Sequence, residues 1–126
     1  MTQIEETIAK FSEYYDMRHV MARRWKGEGK FKKVIGYTYA FMPEEVIFAA
    51  GALPVQLTES EEKSSLGTGN IYVPEFFCDF CQSIVGQAVD GMYNYLDGVI
   101  FSISCVPLKL AADIWDMEAN MPYFNV

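Results

Sequence analysis

Apolar residues recur at helical spacing from the start of the chain. Ile4, Ile8, Phe11, Tyr15, Met21 and Trp25 fall near one stripe, with polar residues on the other side. That period predicts one long amphipathic helix over residues 3–27, stopped by Gly27 and Gly29 in "GEGK". The pattern then changes. "KVIGYTY" is β-branched and aromatic and reads as a buried strand. In "MPEEVIFAAG" both ends of a short helix are marked. Pro43 suits the first helical position, Glu44 and Glu45 complement the positive end of the dipole, and Gly51 suits the cap. "LPVQL" reads as a second strand. "TESEEKSSLGTGNIYVPE" is polar, acidic and glycine-rich, and reads as a loop. From Phe77 to about Leu96 the helical pattern returns, weakened by Gly86 and Gly91. "DGVIFSIS" reads as a strand, "PLKLAADIWDMEA" as a helix opened by Pro107, and "PYFNV" as a final strand.

Strands separated by helices of this length predict an α/β fold with a mostly parallel sheet. The organisation expected is a single α/β domain over 1–126, with the long helix 3–27 leading into an α/β unit over 33–126. The last apolar strand runs to Val126 with nothing after it to cover it. A doubly wound domain rarely stops there, so the expectation is a truncated chain or a subunit completed by another.

Composition narrows the function classes. The 126 residues amount to one domain, and 51% hydrophobic content excludes a disordered chain. A net charge of −7 lacks the basic footprint of a nucleic-acid binder. Two local basic groups, Arg23, Arg24 and Lys26, then Lys30, Lys32 and Lys33, read as a solvated helix end. "MTQIEETIAK" shows no signal-peptide pattern, and apolar runs such as "VIFAAGALPV" are too short to span a membrane. Three cysteines, an odd number without a secreted framework, point to a reducing cytoplasm.

The candidate chemistry lies in those cysteines. Cys78 and Cys81 sit in "PEFFCDFCQSIVG", and Cys105 in "FSISCVPLKL". All three fall where strands end or helices begin, which is where ligands gather in sheets of this kind. Four readings stand open. Core packing suits Cys81 best, because free Cys packs as a small hydrophobe. A structural zinc needs four N or S ligands, and His19, far upstream, reads as a surface or packing residue. A redox pair would use the C-x-x-C spacing, although no clean buried strand runs into it and Asp79 opposes a thiolate. An iron–sulfur cluster is held by thiolates, and three suffice if another ligand takes the remaining iron. Ser102 and Ser104 either hydrogen-bond sulfurs or, the preferred reading, close the turn before Pro107; Tyr37 and Tyr39 alternate on the strand and either line a pocket or, by default, pack in the core.

The stretch "KVIGYTYAFMPEEVIFAAGALPVQL" resembles the family of benzoyl-CoA reductases and 2-hydroxyacyl-CoA dehydratases. "ARRWK" is similar to the helix that precedes this strand in the reductase branch. "FFCDFCQSIVG" resembles the family's first ligand segment, and "LDGVIFSISC" with the later "DIW" its second. The similarity covers roughly residues 12 to 126. Position by position, Cys78 and Cys105 match the family's cluster ligands, while Cys81 falls where the family often has another residue. Cys81 is then either an extra ligand or a packed thiol. Two departures stand out: Gln82 where a basic residue is common, and Val106 where Asp is common.

The resemblance implies a three-layer flavodoxin-like domain, the N-terminal half of a two-domain subunit. It further implies a [4Fe-4S] cluster on Cys78 and Cys105, with Cys81 a candidate, and a third family ligand in a second domain. An acyl-CoA would be the substrate, and a homologous subunit would complete a heterodimer. A separate ATP-hydrolysing activator would deliver low-potential electrons. Ring reduction of the benzoyl-CoA type is the preferred branch, and 2-hydroxyacyl-CoA dehydration the other. The alternative from another class is a non-catalytic, shortened homologue that packs on a partner with its thiols unmetallated.

Overall fold

Four short strands lie side by side, all parallel, in the order β2-β1-β3-β4. They are β1 Lys33–Tyr37, β2 Ala52–Gln56, β3 Gly98–Phe101 and β4 Tyr123–Asn125. The computed structural model describes residues 1–31, 33–39, 41–60 and 63–126, without the side chains of 63–65. Lys32 of the second basic group, and Glu61 and Glu62 of the acidic stretch, lie outside the described residues.

Side chains alternate across the sheet, as the strand period requires. Val34, Leu53, Val99 and Phe101 face the larger core with Ile84 and Trp115. Ile35, Tyr37, Ala52 and Ile100 face the other way, beneath Ile47. The first face is covered by α2 Arg18–Gly27, α5 Asp79–Val89 and α6 Val106–Glu118, the second by the short α3 Glu44–Ala49. These are three layers, and the strand order is the first four of the doubly wound 2-1-3-4-5 arrangement. The expected fold class is the one observed.

Three elements depart from expectation. The long helix over 3–27 breaks at Met17 into α1 Gln3–Asp16 and α2. At the break the Tyr15 carbonyl accepts from the Arg18 guanidinium at 2.8 Å, and that guanidinium also lies 4.1 Å from the centre of the Tyr15 ring. A capping box formed by Thr2 and Glu5 starts α1. No residue of α1 is buried, whereas α2 buries His19 and Ala22. The predicted apolar stripe is therefore real in sequence but half unused: Ile4, Ile8 and Phe11 stay exposed.

The second departure is α4 Lys63–Tyr72, a helix in the stretch that reads as loop. Its glycines and serines disfavour helix by propensity. Packing supplies the difference, because α4 lies against α5 so closely that Gly69 has no room for a side chain. Third, the helix expected over 77–96 is shorter. α5 ends at Val89, Gly91 turns with φ +80, and the turns that follow send Tyr93, Tyr95 and Leu96 into the core.

Asp97 ties the sheet together at the entry to β3. Its carboxylate accepts from the Val34 amide at 2.9 Å and pairs with Lys26 and Lys33 at 3.0 and 3.4 Å. Burial pushes its pKa up, but the amide and the two ammonium groups outweigh that and hold it below the usual carboxylate value. A folded pKa below the unfolded one gives stability that is present above the unfolded value. It is lost as pH falls through the folded one. In urea titrations from pH 6 down to pH 2.5, Asp97→Asn is expected to be less stable than wild type at the upper end. The gap should close with acid, and a constant gap would contradict the ion-pair role.

Candidate functional site

The three cysteines share one end of the sheet. Cys78 is the N-cap of α5 and Cys105 the N-cap of α6, both with extended backbone and neither making a side-chain cap bond. Cys105 follows β3 by a few residues, at the carboxyl end of the strand. Cys81 lies one turn into α5. Cys78 and Cys105 are exposed and Cys81 is fully buried, and none is in a disulfide. Both exposed thiols therefore stand at helix N-termini. Burial, then the neighbouring Cys78 and Cys105, push the Cys81 thiol up to about 12.

Tyr39 packs, partly buried, against the larger core as its default reading has it, and it also stands among this group, as the pocket reading has it. Its ring stacks on Phe80, between the two α5 cysteines, with centroids 5.5 Å apart and planes 19° from parallel. Burial first, and then Cys105, Cys81 and Cys78 around it, raise the Tyr39 hydroxyl's pKa. The Ser104 hydroxyl lies within hydrogen-bonding reach on the other side, next to Cys105. Tyr39 thus touches both cysteine segments. Its neighbour Thr38, fully buried, accepts the Ser102 amide on Oγ1 at 3.0 Å and so joins the ends of β1 and β3. The β1/β3 boundary is where the strand order reverses, the crevice where doubly wound sheets bind ligands. Tyr37 points to the opposite face instead, where its hydroxyl donates to the Glu44 carboxylate.

Gln82, which stands where a basic residue was expected, has a structural task. Its side-chain amide is buried and donates to the carbonyls of Pro74, Glu75 and Phe77 at 3.3, 3.1 and 2.9 Å. Those bonds fold the loop that delivers Cys78 to its helix. Val106, the other departure, is exposed beside Cys105 and presents a methyl surface rather than a carboxylate. His19 is far from the thiols in its contacts. Its Nδ1 meets the Tyr95 hydroxyl at 2.8 Å, its ring lies edge-on to Tyr93 and Tyr95, and burial with nearby Arg18 lowers its pKa to about 4. It is a packed, neutral residue. Among the described residues no three His, Cys, Asp or Glu side chains are grouped so as to hold a metal ion. A cleft of about 450 Å³ opens elsewhere, between α1–α2 and β2, and contains no cysteine.

Fold and site together define a doubly wound α/β unit that presents thiols at its strand-order crevice. The chain belongs to the 2-hydroxyglutaryl-CoA dehydratase D-component family, whose model matches residues 39–126. It is 25% identical over 116 residues to one of the benzoyl-CoA reductase subunits of Thauera aromatica, covering 90% of this chain and 30% of that one. It is 32% identical over 84 residues to the beta subunit of lactoyl-CoA dehydratase of Anaerotignum propionicum, covering 67% and 22%. With the beta subunit of (R)-2-hydroxyglutaryl-CoA dehydratase of Acidaminococcus fermentans it shares 28% over 106 residues, covering 84% and 27%. The chain therefore spans less than a third of the length of these relatives. Among the described residues no helix is long and apolar enough to cross a membrane.

Proposed function

We propose that this chain is part of a subunit of an iron–sulfur enzyme acting on acyl-CoA thioesters, of the benzoyl-CoA reductase type, with 2-hydroxyacyl-CoA dehydration as the other branch of the same reading. The observation that carries it is the meeting of two exposed thiols, Cys78 and Cys105, at the strand-order crevice of a family member. Slightly higher coverage and the match over 116 residues favour the reductase branch.

The donor set fits a [4Fe-4S] cluster. Thiols are its usual ligands, both exposed ones stand at helix N-termini, and a cluster spaces its ligands more widely than a single ion does. Cys78 and Cys105 would hold it, with Cys81 behind Cys78. The remaining ligands would come from elsewhere, either from a second domain or from a homologous subunit. When bound, the cluster supplies single electrons of low potential to a thioester carbonyl, and a separate ATP-hydrolysing protein is the expected donor.

The residues of this chain supply the setting. Thr38 pins the strand ends, Gln82 fixes the loop before Cys78, and the Tyr39–Phe80 stack walls the crevice with aromatic surface that keeps water away. The protein's share of such chemistry is placement, electrostatics and dryness.

The test is iron and acid-labile sulfide content, with an absorption spectrum, on protein purified without oxygen together with whatever chain completes the site. About four irons per site are expected. Cys78→Ala or Cys105→Ala should abolish that content while leaving the far-ultraviolet circular dichroism unchanged. Iron retained in both variants, or absent from the wild type, would sink the reading.

A further inference from the structure

We propose that Cys78 and Cys81 form a reversible disulfide couple, closed by exchange with a small-molecule disulfide whenever Cys78 is free of metal. This goes beyond the cluster reading and would hold even in a chain that never bound iron.

The geometry is that of a helix start. Cys78 is the N-cap of α5, with φ −65 and ψ 149, so Cys81 is its third helical residue. The N-cap and the third helical position are neighbours across the first turn, which is why capping boxes form between residues so placed, each side chain reaching the other's backbone N–H. Here a thiol stands at each position, and Cys78 makes no side-chain cap bond that would occupy it. The two thiols are near neighbours. Cα atoms three residues apart in a helical turn are about 5 Å from each other, inside the Cα range that a disulfide spans.

Access is divided between the two. Cys78 is exposed, whereas Cys81 is fully buried beneath it. A solvent disulfide can reach only Cys78 of the pair, and Cys81 has Cys78 beside it one helical turn back. Cys105, the other exposed thiol, belongs to a different helix. Asp79, between the pair, is exposed at the first helical position.

The chemistry balances. The Cys78 thiolate attacks one sulfur of R–S–S–R, forming a mixed disulfide and expelling RS⁻. Cys81 then gives up its proton and attacks the Cys78 sulfur, expelling the second RS⁻. The protein loses two electrons and two protons, and R–S–S–R becomes two RSH. Closure removes Cys78 from any ligand set, and two equivalents of thiol restore it.

The experiment uses the wild-type chain, treated with chelator and equilibrated in buffers of increasing oxidised-to-reduced glutathione ratio. Free thiols are trapped with iodoacetamide and the peptides mapped by mass spectrometry. Cys78 and Cys81 should be joined to each other, with Cys105 alkylated and the Cys78–glutathione adduct a minor species. In Cys81→Ser that adduct should become the main product at Cys78. Should Cys81→Ser fail to fold, Cys81→Ala serves, and the wild-type map decides by itself. A Cys78–Cys105 link, a persistent adduct in the wild type, or free Cys78 and Cys81 throughout would each overturn the proposal. Iron content is measured separately, so either idea can fail alone.

Discussion

Gly69→Ala is expected to destabilise the chain by about 3 kcal/mol or more, beyond the ordinary cost of overpacking. A Cβ there would stand 1.9 Å from the Gln82 carbonyl oxygen and 2.6 Å from its carbon. The obstacle is backbone, so no side chain can swing aside; α4 must lift from α5. The sign is the informative part. In an unobstructed helix Gly→Ala adds about 1 kcal/mol of stability. Gly67, two residues earlier in the same helix, meets nothing within 4 Å. Gly67→Ala should therefore stabilise where Gly69→Ala destabilises, in paired urea titrations with the same slope. Equal effects at the two positions would mean that α4 does not pack as described. The effect should also reach the thiols, since Gln82 holds the loop ahead of Cys78.

Trp115→Ala is expected to cost about 3–5 kcal/mol, the usual range for emptying an aromatic site in a core. Trp115 is 1% exposed and packs against Tyr93 and Phe101 with ring centroids 5.7 and 5.6 Å away. It joins α6 to β3 and to the turn after α5, so its loss frees three elements at once. Its indole N–H has no hydrogen-bond partner among the described residues. Trp115→Phe therefore removes no bond and relieves an unsatisfied donor, and should cost less than half as much. Denaturant midpoints for the two variants check this; equal losses would show that the indole N–H has a partner.

Much of the architecture could be read from local pattern. β1, α3, β2, β3, α6 and β4 lie where β-branched runs, a Pro-Glu-Glu start and turn dipeptides put them. The parallel order follows from strands alternating with helices. α4 could not be read, because Gly67, Gly69 and the serines argue against helix and only the close approach of α5 overrides them. The break at Met17 was equally hidden: the apolar stripe runs straight through it, and Ile4, Ile8 and Phe11 in its first half stay exposed.

The site divides in the same way. Cys78, Cys81 and Cys105 were named by residue type and by their places next to helix starts. Tyr39 was legible only as core or pocket lining, since an aromatic two places beyond a strand looks like any core residue; its link to the thiols shows in the stack on Phe80, an aromatic placed between two of them. Gln82 looked like a missing charge and proved to be a loop clamp.

By itself the sequence determined the α/β class, the sheet-end position of the thiols and the family. Those depend on periodicity, turn chemistry and motif order, all of them local along the chain. Only the tertiary structure decided which thiols are exposed, which aromatic joins their segments, and that a glycine-rich polar stretch is a helix. Each of these turns on which residues distant in the chain come into contact, and burial and close approach exist only once the layers have packed.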